Sequence, residues 1–228
     1  MRTTIIAVGN GGCNLATDII NANIFSNTKF IICDTDEKSL EEHNASADAT
    51  FRLDKFRGKV KASMKDIVDD IINSSTERVI ICATFGGFTG SKYAPLIALN
   101  AILKGKFVCS PFTLDFSFEG EKHGERALNA RMQSIAASNF VIQQNNDRLK
   151  EIETLGLGDM NKPIVDTFIN ALRNHTLEEL SHWVGSESLQ DLIPTEYRLP
   201  DMPLLWLKSD CYRGIEETER MNVFNLYN

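Results

Sequence analysis

The sequence predicts an α/β fold in which helices cover both faces of a mainly parallel β-sheet. Short apolar and β-branched runs alternate with longer stretches of helical periodicity. Continuously apolar strands are typical of a parallel sheet that is buried on both faces, and the helices between them form the crossovers. With 228 residues, the chain is long enough to bury one sizeable core, so a single domain is expected.

Short apolar runs are the predicted strands, and longer periodic stretches are the predicted helices. The predicted strands are Thr4–Val8, Lys29–Cys33, Arg78–Thr84, Phe107–Cys109 and Phe140–Gln143. The predicted helices are Cys13–Asn23, Met64–Ser74, Tyr93–Leu103 and Glu121–Ala137. A further, longer helix is expected from Lys162 to Val184, because apolar residues recur on one face and Pro163 suits a first helical turn.

Residues 185–228 differ from the rest of the chain in composition. Three of the six prolines, Pro194, Pro200 and Pro203, lie close together, and only residues 203–207 are strongly apolar. About 40 residues are too few for an independent core. We therefore expect one domain over residues 1–184, followed by a tail that packs on it as a strand or an extended arm.

Composition and charge exclude several classes of protein. The net charge of −7 argues against a nucleic-acid-binding surface, which needs clustered lysine and arginine. The five cysteines form no C-x-x-C pair, so we expect reduced thiols in a cytoplasmic protein rather than a zinc or redox site. No apolar run is long enough to span a membrane, and the first strand begins too early for a signal peptide. The four histidines show no spacing typical of a metal site or a hydrolase triad, so neither a metal ligand nor a catalytic residue is predicted.

Two glycine-rich turns each follow a predicted strand and precede a predicted helix. The first turn contains Gly9, Asn10, Gly11, Gly12 and Asn14. The second turn contains Gly86, Gly87, Phe88, Thr89, Gly90 and Ser91. Glycine lets the backbone approach a phosphate closely, and the following helix directs its free N–H groups and positive dipole end at the anion. At the carboxyl ends of neighbouring strands, two such turns predict a site for a di- or triphosphate.

Simpler and different interpretations of these turns remain open. Each turn would also serve as a tight strand-to-helix connection without a ligand. A dinucleotide fingerprint would need a third glycine at the position of Asn14. A dinucleotide-dependent oxidoreductase would use Asp34 and Asp36 for a ribose, but it would leave the second turn and the Phe-Glu-Gly sequence at 118–120 unexplained.

Three further segments complete a family pattern. They are Asp-Thr-Asp at 34–36, Phe-Ser-Phe-Glu-Gly at 116–120 and Asn-Asp-Arg-Leu at 146–149. Together with the two glycine turns, they resemble the nucleotide-binding domain of the FtsZ/tubulin superfamily over residues 1–180. The resemblance implies a Rossmann-like domain that binds GTP or GDP, with Mg²⁺ as an accompanying ion.

The resemblance also implies roles for residues outside the turns. It places Asp34 near the nucleotide and Glu119 on the ribose, where an ionised carboxylate can accept two donors. Asn146 would approach the base, and Phe168 would stack on it. His123 stands where the family carries an arginine. A solvated loop residue is the alternative interpretation of Glu119, and ordinary core packing is the alternative for Phe168.

Three departures from the family pattern bear on activity. The region 44–65 lies where the family has a third glycine-rich loop. Gly58 is its only glycine, and a run of basic residues occurs at Lys55, Arg57, Lys59 and Lys61. Leu172 stands where the family has an acceptor for guanine, so the preference for guanine over adenine is expected to be weaker than an intact acceptor provides. The family's catalytic loop, Asn-x-Asp-x-x-Asp, does not occur between Asn174 and Asn228, and no counterpart of the family's C-terminal domain is found. GTP hydrolysis is therefore expected to be weak or absent.

Two functions follow from these observations. The first is an FtsZ/tubulin-like GTP-binding protein of cell division or membrane remodelling, which self-associates or joins an FtsZ-type partner. The second is a degenerate family member that binds no nucleotide and serves as a structural or interaction module.

Overall fold

A mostly parallel seven-stranded sheet forms the centre of the computed structural model, which describes residues 2–55, 62–153, 155–183, 189–199 and 204–209. The strands are β1 Thr3–Val8, β2 Thr28–Asp34, β3 Ala49–Arg52, β4 Arg78–Phe85, β5 Phe107–Leu114, β6 Phe140–Asn145 and β7 Leu205–Ser209. Across the sheet they lie in the order β3-β2-β1-β4-β5-β6-β7. The first six strands are parallel to their neighbours, and β7 runs antiparallel to β6. This arrangement confirms the predicted α/β class.

Helices cover both faces of this sheet. They are α1 Gly9–Asn21, α2 Glu37–His43, α3 Ala62–Ser74, α4 Phe88–Leu103, α5 Glu121–Ala136, α6 Lys162–Leu172 and α7 Leu177–Leu180. Along β1, Ile5 and Ala7 join a core with α1 and α6, whereas Ile6 and Val8 join a core with α3, α4 and α5. Side chains alternate across a strand, so a strand that is apolar at every position contributes to both cores. Among the described residues, no helix is both long and apolar enough to span a membrane.

β5 is longer than predicted, because it continues through a proline. The sequence prediction ends this strand at Cys109, two residues before Pro111. In the structure the strand continues to Leu114, and its pairing with β4 is missing only around the proline. Proline has no N–H to donate, so it removes ladder hydrogen bonds without ending the extended backbone. The added residues bring the end of β5 to the same sheet edge as the glycine turns.

The predicted long helix over Lys162–Val184 is wrong. α6 ends at Leu172, and the short α7 begins at Leu177. The Thr176 side chain accepts a hydrogen bond from the Glu179 backbone, while the Thr176 N–H donates to the Glu179 carboxylate. This capping box satisfies N–H groups that a helix start leaves free, and it therefore favours a new helix at this point. The last predicted residue of the long helix lies outside the described part of the chain.

Two elements of the structure, α2 and β3, are not predicted by the sequence analysis. α2 buries only Ser39, and β3 is a four-residue strand at the edge of the sheet with half-buried and exposed positions. Because both elements lack a buried apolar face, they leave little periodic signal in the sequence.

The described part of the tail contributes a strand to the sheet. β7 pairs with β6 from Leu205 opposite Gln144 to Ser209 opposite Phe140. Leu205 and Leu207 are buried, and the Asn145 N–H donates to the carbonyl oxygen of the residue before β7 at 2.8 Å. This segment therefore covers the edge that β6 would otherwise leave unpaired.

Candidate functional site

A cleft of about 800 Å³ opens at the carboxyl ends of β1 and β4. The two strands are neighbours, with Val8 opposite Ala83. After β1 the chain enters α1 on one face of the sheet, and after β4 it enters α4 on the other face. The strand order reverses at this point, and open α/β sheets bind ligands in the crevice that such a reversal creates.

Both glycine turns are shorter than predicted, because the helices begin inside them. α1 begins at Gly9 rather than at Cys13, and α4 begins at Phe88 rather than at Tyr93. The first N–H groups of a helix have no acceptor within the helix. The two turns therefore offer free N–H groups and the positive ends of two helix dipoles at the cleft.

The glycines of the two turns serve two different purposes. A Cβ atom on Gly11 would lie 2.4 Å from Thr84 Oγ1, and one on Gly90 would lie 2.4 Å from the Thr84 carbonyl oxygen. Gly12 is equally crowded, at 2.5 Å from a carbonyl oxygen of β4. A Cβ on Gly87 would meet no heavy atom within 4 Å. Gly11, Gly12 and Gly90 therefore allow close packing of helices on β4, whereas Gly87 leaves open space in the cleft.

A buried carboxylate connects the end of β2 with the second glycine turn. Asp34, with 3% of its surface exposed, accepts hydrogen bonds from the N–H groups of Thr35 at 2.6 Å and Asp36 at 3.2 Å. It also accepts from Thr89 Oγ1 at 3.2 Å, and the hydroxyls of Thr35 and Thr89 lie 2.8 Å apart. Asp34 thus holds the turn around Thr89 in place while it borders the cleft.

The structure brings most of the predicted turn residues together. The predicted residues that line the cleft are Gly9, Asn10, Gly11, Asp34, Gly87, Phe88, Thr89, Gly90 and Glu119. Asn14 is exposed to solvent away from this lining. The Ser91 side chain accepts a hydrogen bond from the Gly86 N–H at 2.8 Å. Both residues therefore stabilise the turn, although neither is part of the cleft lining.

Asp115 is a cleft residue that the sequence analysis does not single out. Its side chain is 7% exposed, and its Oδ2 would lie 2.1 Å from a Cβ on Gly86, whose φ of 115° also favours glycine. The nearest titratable partners are Glu119 and His123. Burial raises the pKa of the Asp115 carboxyl; the charge of Glu119 raises it further, and His123 opposes the shift. The repeated spacing of four residues from Asp115 to Glu119 to His123 is the signal that the sequence carries.

The two residues predicted to contact a base do not reach the described lining of the cleft. Asn146 is buried and accepts a hydrogen bond from Gln144 Nε2 at 3.0 Å. Phe168 is fully buried in the core between the sheet and α6, with its ring edge-on to Phe25 at 6.0 Å between centroids. Leu172 is half-buried against the same core. Base contact by Asn146 and Phe168 stays a prediction, and for Phe168 the structure shows the core packing of the alternative interpretation.

The described lining of the cleft is more acidic than basic. Its carboxylates are Asp34, Asp36, Glu42, Asp115 and Glu119, and its ammonium groups are Lys38 and Lys55. Lys55 lies 3.4 Å from the Asp36 carboxylate, and hydrogen bonding from the Lys38 backbone together with the charge of Lys55 lowers the pKa of Asp36. The other basic residues of the run, at 57, 59 and 61, lie outside the described residues. The binding of an anion in the cleft would therefore depend mainly on backbone N–H groups and on any cation bound to the anion.

Comparison with known protein families decides the class of this domain. The family model of the Tubulin/FtsZ family GTPase domain matches residues 2–154. The chain belongs to the Tubulin/FtsZ family. The matched residues contain both glycine turns, Asp34, the Asp115–His123 segment and Asn146, so the cleft lies inside the family's GTPase domain.

Relatives of known name are distant, and each is longer than the part that matches. A curated relative, the "Mitochondrial division protein fszA" of Dictyostelium discoideum, is 24% identical over 183 residues, which are 75% of this chain and 35% of the relative. The structure described as "FtsZ dimer, empty" from M. jannaschii superposes with a TM-score of 0.60 at 22% identity, over 75% of this chain and 53% of the other. The GTPγS-bound protofilament of CetZ2 from Haloferax volcanii superposes with a TM-score of 0.59 at 17% identity, over 79% of this chain and 62% of the other. These structural likenesses establish the fold.

Proposed function

We propose that this domain binds GTP or GDP in the cleft, with the phosphates between the starts of α1 and α4. The observation that carries the proposal is the convergence of two helix N-termini at the β1/β4 crevice, beside the open space that Gly87 leaves. Two dipole ends and their free N–H groups attract an anion at one place. The cleft, at about 800 Å³, is within the size range of small-molecule sites.

The phosphates and the ribose of the nucleotide each have candidate partners in this arrangement. Backbone N–H groups from Gly9 to Gly11 and from Phe88 to Gly90 would bind the phosphates. Glu119 lines the same cleft, and its carboxylate would accept hydrogen bonds from ribose hydroxyls. Gly87 would let the phosphates approach the start of α4 without a side chain between them.

Mg²⁺ fits the donors on this side of the cleft. Asp34 and Asp36 present carboxylates at the end of β2, and Mg²⁺ prefers carboxylate, phosphate and water oxygens. The described lining has two lysines and five carboxylates, so it offers little positive charge to the phosphates. A bound Mg²⁺ would neutralise part of the phosphate charge. We therefore expect nucleotide affinity to depend strongly on Mg²⁺.

We further propose that hydrolysis by this chain alone is weak or absent, and that the domain works in assemblies related to division or membrane remodelling. The names of its relatives, a mitochondrial division protein, an FtsZ dimer and a CetZ2 protofilament, support an assembly role. Residues 174–228 contain no Asn-x-Asp-x-x-Asp sequence, which supports weak hydrolysis, because positioned carboxylates are what orient and deprotonate the attacking water.

Nucleotide analysis of the purified chain tests the binding proposal directly. An extract of the protein should contain GDP or GTP, and the stripped protein should bind one GTP per chain in a calorimetric titration with Mg²⁺. Omission of Mg²⁺ should weaken binding. No nucleotide in the extract together with no heat of binding would refute the proposal.

The acidic lining favours the second candidate, an interaction module without a nucleotide. Five carboxylates around a cleft would suit a basic segment of a partner protein as well as a metal-bound anion. The two functions make opposite predictions in the same titration, since only the nucleotide-binding domain would respond to GTP.

A further inference from the structure

Three side chains of complementary chemistry meet at the edge of the cleft. His123 Nδ1 lies 3.6 Å from Asp115 Oδ2 and 3.3 Å from Glu119 Oε2, and the ligating atoms of all three lie within 4.8 Å of one another. Asp115 Oδ2 and His123 Nδ1 are both shielded from solvent, and neither has a hydrogen-bond partner among the described residues. An unpartnered buried oxygen and an unpartnered buried nitrogen that face each other call for a third species between them.

The chain holds these side chains on three successive, defined elements. Asp115 directly follows β5, and its N–H donates to the Phe85 carbonyl oxygen at 3.0 Å. Glu119 ends a single helical turn over 117–119, and its Oε1 accepts from the Phe116 N–H at 3.3 Å, which leaves Oε2 for His123. His123 lies in the first turn of α5. Ligands that are oriented by such supporting hydrogen bonds are typical of metal sites.

The distances agree with a metal ion more closely than with an ion pair. Charge-assisted hydrogen bonds between an imidazolium and a carboxylate are typically about 2.7–2.9 Å long, and both contacts of His123 are longer. Ligands about 2.0–2.1 Å from a tetrahedral Zn²⁺ lie roughly 3.3–3.4 Å from one another. The separations of 3.3 and 3.6 Å are therefore close to those of two ligands on one such ion.

The donor set selects the class of metal. One imidazole with two carboxylates suits Zn²⁺ and related transition metals, whereas Mg²⁺ and Ca²⁺ prefer an all-oxygen shell. Three protein ligands around Zn²⁺ leave a fourth position for water or another ligand. Because Asp115 and Glu119 also line the cleft, that position would be open to whatever the cleft binds.

We propose that Asp115, Glu119 and His123 form a binding site for a divalent transition-metal ion, with Zn²⁺ as the expected occupant. The site is distinct from the Mg²⁺ expected beside Asp34, because it contains an imidazole and lies after β5 rather than after β2. Glu119 is also the carboxylate proposed for the ribose, so metal binding is measured on the nucleotide-free chain, where its outcome is independent of GTP binding.

The test is a titration of the chelator-treated full chain, first with Zn²⁺ by calorimetry and then with Co²⁺ by visible absorption. We expect one ion per chain and the visible bands of Co²⁺ in a protein site. Asp115→Asn and His123→Gln should each weaken Zn²⁺ binding by about tenfold or more, and Zn²⁺ should remove the Co²⁺ bands. His182→Gln, a change at an exposed histidine after α7, is the matched control and should bind both metals like the parent chain.

Two results would overturn the proposal. One is the absence of stoichiometric Zn²⁺ binding to the parent chain. The other is equal Zn²⁺ affinity in the parent, Asp115→Asn and His123→Gln proteins, which would assign the metal to other groups. If circular dichroism shows that Asp115→Asn or His123→Gln does not fold, Glu119→Gln is tested in its place, because Glu119 is exposed. Unchanged Zn²⁺ binding in Glu119→Gln and in the remaining variant would likewise overturn the proposal.

Discussion

Replacement of Gly87 by aspartate separates ligand binding from folding more cleanly than any other change in the two turns. Gly87 is the N-cap of α4 with φ −63° and ψ 160°, an ordinary extended conformation, and a Cβ there has no neighbour within 4 Å. Aspartate and asparagine are both favoured at an N-cap, where they improve on glycine by only a few tenths of a kcal/mol. Neither Gly87→Asp nor Gly87→Asn should therefore destabilise the fold.

The expected effect on nucleotide binding is large and depends on charge. An aspartate carboxylate at the N-cap would compete with phosphate for the first N–H groups of α4 and would repel it. At about 5 Å and an effective dielectric constant of about 20, one charge pair repels by about 3 kcal/mol, which corresponds to roughly a hundredfold loss of affinity. Asparagine has the same shape and the same capping bond without the charge, so Gly87→Asn should lose much less.

Calorimetry of GTP binding to the parent, Gly87→Asp and Gly87→Asn proteins, with thermal unfolding of each, measures both effects. A contrasting variant, Gly90→Ala, should lower the unfolding temperature, because its Cβ would lie 2.4 Å from the Thr84 carbonyl oxygen and such overpacking typically costs about 1–3 kcal/mol. Equal GTP affinity in the parent and in Gly87→Asp would refute the assignment of the phosphates to this turn.

Three further predictions concern the base, the chemistry and the fold. Leu172 stands at the position of the guanine acceptor, and a charged hydrogen bond to such an acceptor contributes about 1.5–3 kcal/mol. A competition titration should therefore show GTP preferred over ATP by less than an intact acceptor provides. A preference of many thousandfold would mean that another residue reads the base. Steady-state phosphate release by the chain alone should stay near background at all protein concentrations, because general-base help is worth about 10²–10⁴-fold; turnover that rises with concentration would contradict this. Glu178→Gln should destabilise the fold by about 1–2 kcal/mol in chemical denaturation, because Arg78 donates two hydrogen bonds to that carboxylate at 2.7 and 2.6 Å. Glu37→Gln is its control and should change little, because its ion pair with Arg52 is about two-thirds exposed.

The parts of the fold that the sequence predicts are those with a strong local pattern. β1, β2, β4 and β6 agree with their predicted runs to within two residues at each end, because each contains at least three consecutive apolar residues. The predictions fail where a distant contact decides the structure, or where one local signal competes with another. Pro111 does not end β5, since the neighbouring β6 pairs with β5 without interruption from Cys109 to Leu114. The long helix breaks before Thr176 because a capping box competes with helix continuation.

The candidate site likewise contains residues that the sequence predicts and residues whose place only the structure reveals. The glycine turns are recognisable from residue type and spacing, and Asp34 and Glu119 from the resemblance to the family; Asp34, Glu119 and residues of both turns line the cleft. Phe168 has the right residue type for stacking on a base, but its surroundings in the core, including Phe25, were not visible in the spacing. Asp115 was missed because its place beside Gly86, in the turn after the neighbouring strand β4, is a contact between residues far apart in sequence.

The sequence by itself determined the α/β class, the two glycine turns between a strand and a helix and the family resemblance, since these depend on periodicity and on residues close together along the chain. The tertiary structure alone decided which glycines pack against β4 and which one faces open space, because that depends on distances between elements far apart in sequence. It also decided that Asp115, Glu119 and His123 converge. Two of the atoms that meet there, Asp115 Oδ2 and His123 Nδ1, are buried and have no hydrogen-bond partner among the described residues. A shared spacing of four residues is common in any sequence, and only the end of β5, the single turn after it and the start of α5 bring these three side chains to one point.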